Sequence, residues 1–222
     1  MSIRNKLFIS SLSICWFYFL GGIMGVSIIL MIALHELGHL WAAKRLGYET
    51  GGFFLTPLGG LAMIKERMRN LTDRFVISLA GPLVGTLLSV LALGIYCFWR
   101  NEFIFQMARI WALINLFNLL PVFFLDGGQA SWCIGNSIST NYGFKYWFII
   151  PTFWGLSMIF FVFGSTSIII FGTLFFVLGL KHLVKREIWS LRKNIPMKTW
   201  EVYVSITAYT VLFIELVVLF IY

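Results

Sequence analysis

ALHELGHLWAAK, residues 33–44, is the stretch that decides how the whole chain folds. It places two histidines and a glutamate at the end of an apolar run in which no Asp, Glu, Lys or Arg follows Lys6. Charged and metal-ligating side chains are costly inside a bilayer, and they usually mark a functional site there. The stretch therefore predicts a membrane protein that carries a polar site within an apolar helix.

The composition of the chain supports a polytopic membrane protein. Of its 222 residues, 59% are hydrophobic and 18% aromatic, and the mean hydropathy is +0.88, whereas soluble domains are about 45–50% apolar. The polar segments between apolar runs are short loops, so we expect one integral-membrane domain over residues 1–222 and no soluble domain. The runs without acidic or basic residues cover 7–34, 75–99, 110–125, 146–180 and 202–214.

Helix length sets the number of membrane spans. Residues 7–43 as one straight helix would be about 55 Å long, against a hydrocarbon core of about 30 Å. The chain must turn within this run, and Gly21-Gly22 is the expected place. We predict an all-α protein with seven transmembrane helices, or six if the first segment lies in the interface. The spans are expected near residues 5–20, 23–45, 72–99, 103–120, 145–163, 166–184 and 200–222.

The net charge of +8 first suggests a nucleic-acid partner, but its distribution excludes one. The basic residues lie in short loops beside apolar spans, where they orient a membrane protein. With a cytoplasmic N-terminus, all 17 Lys and Arg residues except Arg100 and Arg109 fall on the cytoplasmic side. We expect a multi-pass protein of the cell (inner) membrane, with the mouth of its site facing the cytoplasm.

His35, Glu36 and His39 form an H-E-x-x-H motif. On a helix, positions i and i+4 share one face, so both imidazoles can bind the same zinc ion. The adjacent glutamate can hold a water molecule beside the metal and accept its proton. The alternative is a pair of interfacial histidines at a helix end.

A zinc site of this type needs a third protein ligand. Lys44 and Arg45 mark the cytoplasmic end of the second span, so the third ligand must lie slightly below that surface. Asp126 fits this depth, because it follows Pro121 in an irregular segment after the fourth span. A helix N-cap is the other explanation for Asp126.

The chain resembles the site-2 protease family of intramembrane zinc metalloproteases. The similarity covers residues 35–127, and Phe123 and Gly85 depart from it where the family usually has proline and asparagine. The motifs that carry it are HELGH at 35–39, PLGG at 57–60, F-x-x-x-x-A-G-P at 75–82 and NLLPVFFLDG at 118–127.

The resemblance implies one zinc ion per chain, held by His35, His39 and Asp126, with Glu36 as the general base. It also implies that Asn118 holds substrate near the metal, although a buried asparagine can equally satisfy the carbonyls freed by Pro121. The catalytic core is expected over residues 23–138, followed by C-terminal helices over 145–222.

Residues 49–64, ETGGFFLTPLGGLAMI, predict a membrane-associated β-hairpin near the site. Its edge, including Gly59 and Gly60, can bind an unwound substrate by β-addition, which replaces the hydrogen bonds lost from the substrate helix. The alternative is a hairpin that only seals the cavity or contacts lipid.

Two charges deeper in the apolar spans need partners. Arg109 and Glu215 lie at similar depth near the outer face, where charges either pair with one another or extend to the interface. An ion pair between them and a separately solvated Arg109 are the two alternatives.

The expected function is cleavage of transmembrane segments of other proteins near the cytoplasmic face, releasing a regulatory or precursor protein. The alternative is a catalytically silent protein of the same fold that binds membrane helices. The expected partners are a transmembrane substrate and the lipid bilayer. We expect control by a regulatory membrane protein, by a first cut of the substrate elsewhere, or by movement of the spans.

Overall fold

The computed structural model of the chain describes residues 3–56, 59–121, 125–138 and 195–221. These residues form five helices and one two-stranded antiparallel sheet. The elements are α1 (Ile3–Arg45), β1 (Thr50–Thr56), β2 (Gly59–Ile64), α2 (Leu71–Trp99), α3 (Glu102–Asn118), α4 (Asp126–Ile138) and a helix that we label α5 (Thr199–Ile221).

Within the described ranges, three helices are long and apolar enough to cross a membrane: Gly21–Arg45, Leu71–Trp99 and Thr199–Ile221. A shorter apolar helical segment covers Ile9–Phe19. The mainly helical fold and the small hairpin are thus confirmed. The spans expected near 145–163 and 166–184 lie outside the described residues, so the total of six or seven stays a prediction.

Helix α1 is bent where the sequence predicts a turn. Gly22 has φ 56° and ψ −134° inside an otherwise helical run, a combination that side chains with a Cβ rarely adopt. At its other end α1 stops at Arg45. Gly47 (φ 79°) follows, and the Tyr48 N–H donates to the Ala43 carbonyl at 2.9 Å. This is the glycine-ended C-cap that satisfies the last helical carbonyls.

The chain divides into two compact units. The first contains Met1–Arg67, Val76–Asn118 and Ala208–Tyr222. Its buried apolar core brings together Met31 of α1, Ala92 of α2, and Ala108 and Trp111 of α3. Ala92 and Ala108 are small and let the helices approach closely, as is usual where packing rather than hydrophobic exclusion holds membrane helices together.

The β-hairpin belongs to this first unit and lies against α1. Strand β1 pairs with β2 so that Thr56 faces Gly59 and Phe53 faces Ala62. The Leu55 N–H donates to Ser10 Oγ at 3.1 Å, and the Ala62 N–H donates to Glu36 Oε2 at 2.7 Å. The two strands are thereby tied to the N-terminal and C-terminal arms of the bent helix.

The second unit contains Met68–Phe75 and Leu119–Thr207. Glu201, in the first turn of α5, accepts hydrogen bonds from the Lys198 N–H at 2.7 Å and from Thr72 Oγ1 at 3.1 Å, which caps α5 and links it to the start of α2. The Arg74 guanidinium lies 5.0 Å from the centroid of the Trp132 ring, which joins α2 to α4 through a cation–π contact.

Arg109 serves as a cap for α5. Its Nε donates to the Phe220 carbonyl at 3.1 Å, and its guanidinium lies 5.6 Å from the ring centroids of Phe105 and Phe220. The last carbonyls of a helix lack intrahelical donors and favour a nearby cation. Within the described part of the chain Arg109 makes these contacts, while Glu215 is exposed, so the ion-pair alternative is wrong.

The bend in α1 gives a stability prediction. Replacing Gly22 by alanine should lower the free energy of unfolding by about 1–3 kcal/mol, because the backbone conformation disfavours any Cβ. Gly21→Ala is the matched control, since an added Cβ meets no atom within 4 Å at either position. Thermal unfolding of both variants in detergent measures the difference, and equal stability would contradict the role of Gly22.

Candidate metal centre

The two histidines of the H-E-x-x-H motif lie side by side on the inner face of α1. His35 and His39 expose only 4% and 7% of their surface. Their rings meet edge to face, with centroids 4.8 Å apart, as one-turn spacing on a helix requires. Buried imidazoles need hydrogen-bond partners for both ring nitrogens, and those partners define the chemistry of the site.

The first partner is a side chain that the sequence did not single out. His35 Nδ1 lies 2.9 Å from Oδ1 of Asn115, a fully buried residue of α3. The orientation of this amide is fixed because its Nδ2 donates to the Trp111 carbonyl at 2.8 Å and to Met31 Sδ at 3.3 Å. Oδ1 can only accept, so His35 Nδ1 carries the proton.

The second histidine is held by a backbone group. His39 Nδ1 lies 2.6 Å from the Ile77 carbonyl of α2. A carbonyl oxygen only accepts, so this Nδ1 also carries its proton. Pro82 lies five residues further along α2, and its missing N–H interrupts the helical ladder at the neighbouring Ser78 carbonyl.

With a proton on each Nδ1, the two rings direct their Nε2 atoms at each other. The two Nε2 atoms are 3.1 Å apart. Two lone pairs at this distance repel unless a proton or a metal cation lies between them. Two nitrogens bound about 2.0–2.1 Å from a tetrahedral zinc ion are about 3.3 Å apart, so the spacing fits such a site.

The space in front of these nitrogens is kept open by a glycine. A Cβ on Gly81 of α2 would overlap His39 Nε2 and lie 2.6 Å from His35 Nε2. It would occupy the place where an ion bound to both nitrogens must sit. Gly81, in the sequence A-G-P at 80–82, therefore leaves an open space, about the size of one ion, in front of His35 and His39. We call this space the cradle.

The predicted third ligand, Asp126, belongs to the second unit, and its binding to the same ion as the two histidines stays a prediction. Asp126 is half-buried and is the first residue of α4. A Cβ on the following residue, Gly127, would overlap the Leu119 carbonyl. The close return of the chain after α3 thus fixes where α4 starts, and with it the position of the carboxylate.

Glu36 is directed at the β-hairpin. Besides the hydrogen bond from the Ala62 N–H, its side chain packs against Gly60 so closely that a Cβ there would overlap Glu36 Cγ. The structure thus brings Gly60 to the predicted base, whereas Gly59 pairs with Thr56 at the end of the hairpin. A substrate-binding role for either glycine stays a prediction.

The sequence singled out Asn118, but the asparagine in contact with a histidine is Asn115, one turn earlier on α3. Two asparagines within an apolar span were a signal for a buried polar contact. Which of them faces the site depends on how α3 packs, and the sequence does not show this. The role predicted for Asn118, which is partly exposed, stays a prediction.

Comparison with known proteins agrees with this geometry. Residues 23–101 match the model of Peptidase family M50. Zinc metalloprotease MJ0392 of Methanocaldococcus jannaschii is 30% identical over 187 residues, which are 79% of this chain and 54% of that protein. The resemblance to the site-2 protease family is thus confirmed.

A bacterial relative of the same family is Stage IV sporulation protein FB of Bacillus subtilis. It is 32% identical over 111 residues, which are 46% of this chain and 36% of that protein. The chain therefore spans about half and about a third of the lengths of these two relatives.

Site-2 proteases usually have asparagine where this chain has Gly85, and the structure explains how the difference is accommodated. A side chain at position 85 would overlap the amide group of Asn115. The amide that holds His35 is thus supplied from α3 and fills the space that an asparagine on α2 would take.

The cradle at Gly81 gives a metal-binding prediction. Gly81→Ala should reduce bound zinc to well below one ion per chain without changing any ligand, because its methyl group occupies the ion's place. Gly94→Ala, on the same helix with no atom within 4 Å of the added Cβ, should keep full zinc content. Elemental analysis of the purified proteins decides, and full zinc in Gly81→Ala would contradict the cradle.

The supply of the amide from position 115 instead of position 85 gives a second prediction. Asn115→Ala should weaken zinc binding about 10–100-fold, the usual cost of losing a group that orients a ligand. Gly85→Asn alone should be destabilising because it overlaps Asn115. The double variant should recover zinc affinity relative to Asn115→Ala, measured by competition with a chromophoric chelator. No recovery would show that position 85 cannot replace position 115.

Proposed function

We propose that this chain is an intramembrane zinc endopeptidase that cleaves transmembrane segments of other proteins near the cytoplasmic face. The observation that carries the proposal is the pair of Nε2 atoms 3.1 Å apart, in two rings whose Nδ1 atoms each face an acceptor oxygen. A glutamate stands beside the first of them in sequence. The name of one relative, a zinc metalloprotease, supports this class of function.

His35, His39 and Asp126 would hold the zinc ion. Together they offer two nitrogens and one carboxylate, a donor set that leaves a fourth coordination position open. When bound, zinc supplies Lewis acidity that polarises a carbonyl and makes water a better nucleophile. Asn115 and the Ile77 carbonyl keep both rings oriented through this reaction.

Glu36 is the group that moves a proton. Its carboxylate follows the first ligand directly on α1 and is half-buried, so it can accept a proton from the attacking water and deliver it to the leaving amine. General acid–base groups of this kind contribute about 100- to 10,000-fold to rate. The same residue is unnecessary for a protein that only binds membrane helices.

The substrate must be extended at the site, because the carbonyls of a helix are hydrogen-bonded and shielded. The hairpin offers strand edges that can bind an extended segment by β-addition, with Gly59 and Gly60 leaving room for the substrate backbone. Its position against α1 brings β2 beside Glu36. The transmembrane substrate, its released product and any regulatory membrane protein are part of the proposal.

The orientation of the protein is part of the proposal as well. Lys44 and Arg45 end α1 about one and a half to three turns beyond the histidines, and basic residues favour the cytoplasmic side. Water can then reach the site from the cytoplasm through a short polar path. The proposed location is the cell membrane, with the mouth of the site in the cytoplasm.

Substitutions at the base and at the third ligand test the proposal together. Glu36→Gln should lower cleavage about 100-fold or more with full zinc content, whereas Asp126→Ala should lose both zinc and cleavage. The assay follows fragment release from lysine-flanked leucine–alanine membrane peptides with a central glycine pair, in liposomes.

Glu49→Gln is the control, because it removes an exposed carboxylate near the same hairpin. It should cleave like the wild type. Unchanged cleavage in Glu36→Gln would overturn the proposed role of the base, and full zinc in Asp126→Ala would overturn the ligand set.

A further inference from the structure

The outer edge of β2 can be assigned from its hydrogen bonds. In an antiparallel pair, alternate residues direct their N–H and C=O groups into the ladder and away from it. Leu55, paired with Gly60, directs its N–H outward to Ser10. Ala62 directs its N–H outward to Glu36. Gly60 and Ala62, two residues apart, therefore share the outer edge of β2, and this edge faces the catalytic segment of α1.

This outer edge is where an incoming strand would pair, and Ala62 is its central donor. A strand that adds to β2 places its own carbonyl on each outward N–H. The Ala62 N–H is already bound by the Glu36 carboxylate at 2.7 Å, and one N–H forms one strong, linear hydrogen bond. The substrate carbonyl and the Glu36 carboxylate thus compete for the same amide.

We infer that the Ala62 N–H holds Glu36 in a resting position and that an extended substrate releases it. The inference rests on the proposed function and adds its regulation. A substrate strand that pairs with Gly60 and Ala62 takes the amide with its own carbonyl. The carboxylate then leaves the strand edge and becomes available to accept a proton from water. The base is set free only when an extended chain occupies the edge beside it.

Gly60 makes this exchange possible in a narrow space. Its missing side chain lets Glu36 lie on the strand edge, since a Cβ there would overlap Glu36 Cγ and lie 2.8 Å from Oε1. The same bare backbone is what an incoming strand needs for close approach. The carboxylate therefore occupies the volume that substrate backbone would fill, so both cannot be bound at once.

The competition can be measured by binding alone, with zinc-loaded variants that do not cleave. Glu36→Gln keeps a neutral oxygen that can accept from the Ala62 N–H, whereas Glu36→Ala leaves the edge open. The probe is a fluorescent lysine-flanked leucine–alanine peptide with a central glycine pair, in bicelles. Glu36→Ala should bind it about three- to tenfold more tightly than Glu36→Gln, the value of one neutral hydrogen bond.

Two further substitutions, each combined with the Glu36 variants, test whether the affinity difference arises at the outer edge of β2. Ala62→Pro removes the N–H at a position outside the hairpin ladder, where proline is tolerated in a strand, and the affinity difference should vanish there. Gly60→Ala displaces the position-36 side chain without removing a donor, and should shrink the difference as well. It serves as the second test if Ala62→Pro does not fold.

The matched control repeats the chemical change elsewhere on the hairpin. Glu66 Oε1 accepts a hydrogen bond from the Glu49 N–H at 3.1 Å, away from the outer edge of β2. Each combined with the non-cleaving Glu36→Gln substitution, Glu66→Gln and Glu66→Ala should therefore bind the probe alike. Equal affinities of the two Glu36 variants, a difference that persists in Ala62→Pro, or a probe that binds neither variant would each overturn the inference.

These outcomes separate the inference from the proposed function. If the wild type cleaves the membrane peptides but the two Glu36 variants bind alike, the enzyme stands and the release mechanism is wrong. If the affinity difference is present but the wild type cleaves no peptide, the competition at Ala62 stands and the proposed protease function is wrong.

Discussion

The site depends on the two acceptor oxygens that orient the rings of His35 and His39. The acceptors on His35 and His39 are an amide oxygen and a backbone carbonyl, neither of which can donate. Each ring must therefore keep its proton on Nδ1 and present a lone pair at Nε2. The packing of α2 and α3 around α1 thus holds the two Nε2 atoms 3.1 Å apart, at a spacing that suits a shared cation.

Three glycines around the metal centre matter because a side chain at any of them would overlap a functional group. Gly81 leaves the place of the ion open, Gly85 leaves room for the amide that orients His35, and Gly60 leaves room for Glu36. Each glycine lies where two backbones or a backbone and a functional group approach within contact distance. In a membrane protein such close packing also holds the helices together, since lipid gives little hydrophobic preference for one apolar contact over another.

The hairpin joins the chemistry to substrate recognition through the backbone. Strand β1 is tied to Ser10 and strand β2 to Glu36, so the sheet rests within the bend that Gly22 makes in α1. An edge strand normally invites pairing with any other extended chain. Here its central donor is held by the side chain that the reaction needs, which links the availability of the edge to the availability of the base.

The sequence by itself determined the membrane class of the chain, the turn at Gly21-Gly22, the hairpin and the metal-site residues on α1. These are encoded locally, by an apolar run, a glycine pair or a one-turn spacing. The tertiary structure alone decided that Asn115 rather than Asn118 meets His35, that Ile77 supplies a carbonyl to His39, and that Arg109 caps α5 instead of pairing with Glu215. These contacts join residues distant in sequence, and the rotation of each helix about its axis selects them. Because these helices are apolar on all sides, the sequence has no polar face from which their rotation could be predicted.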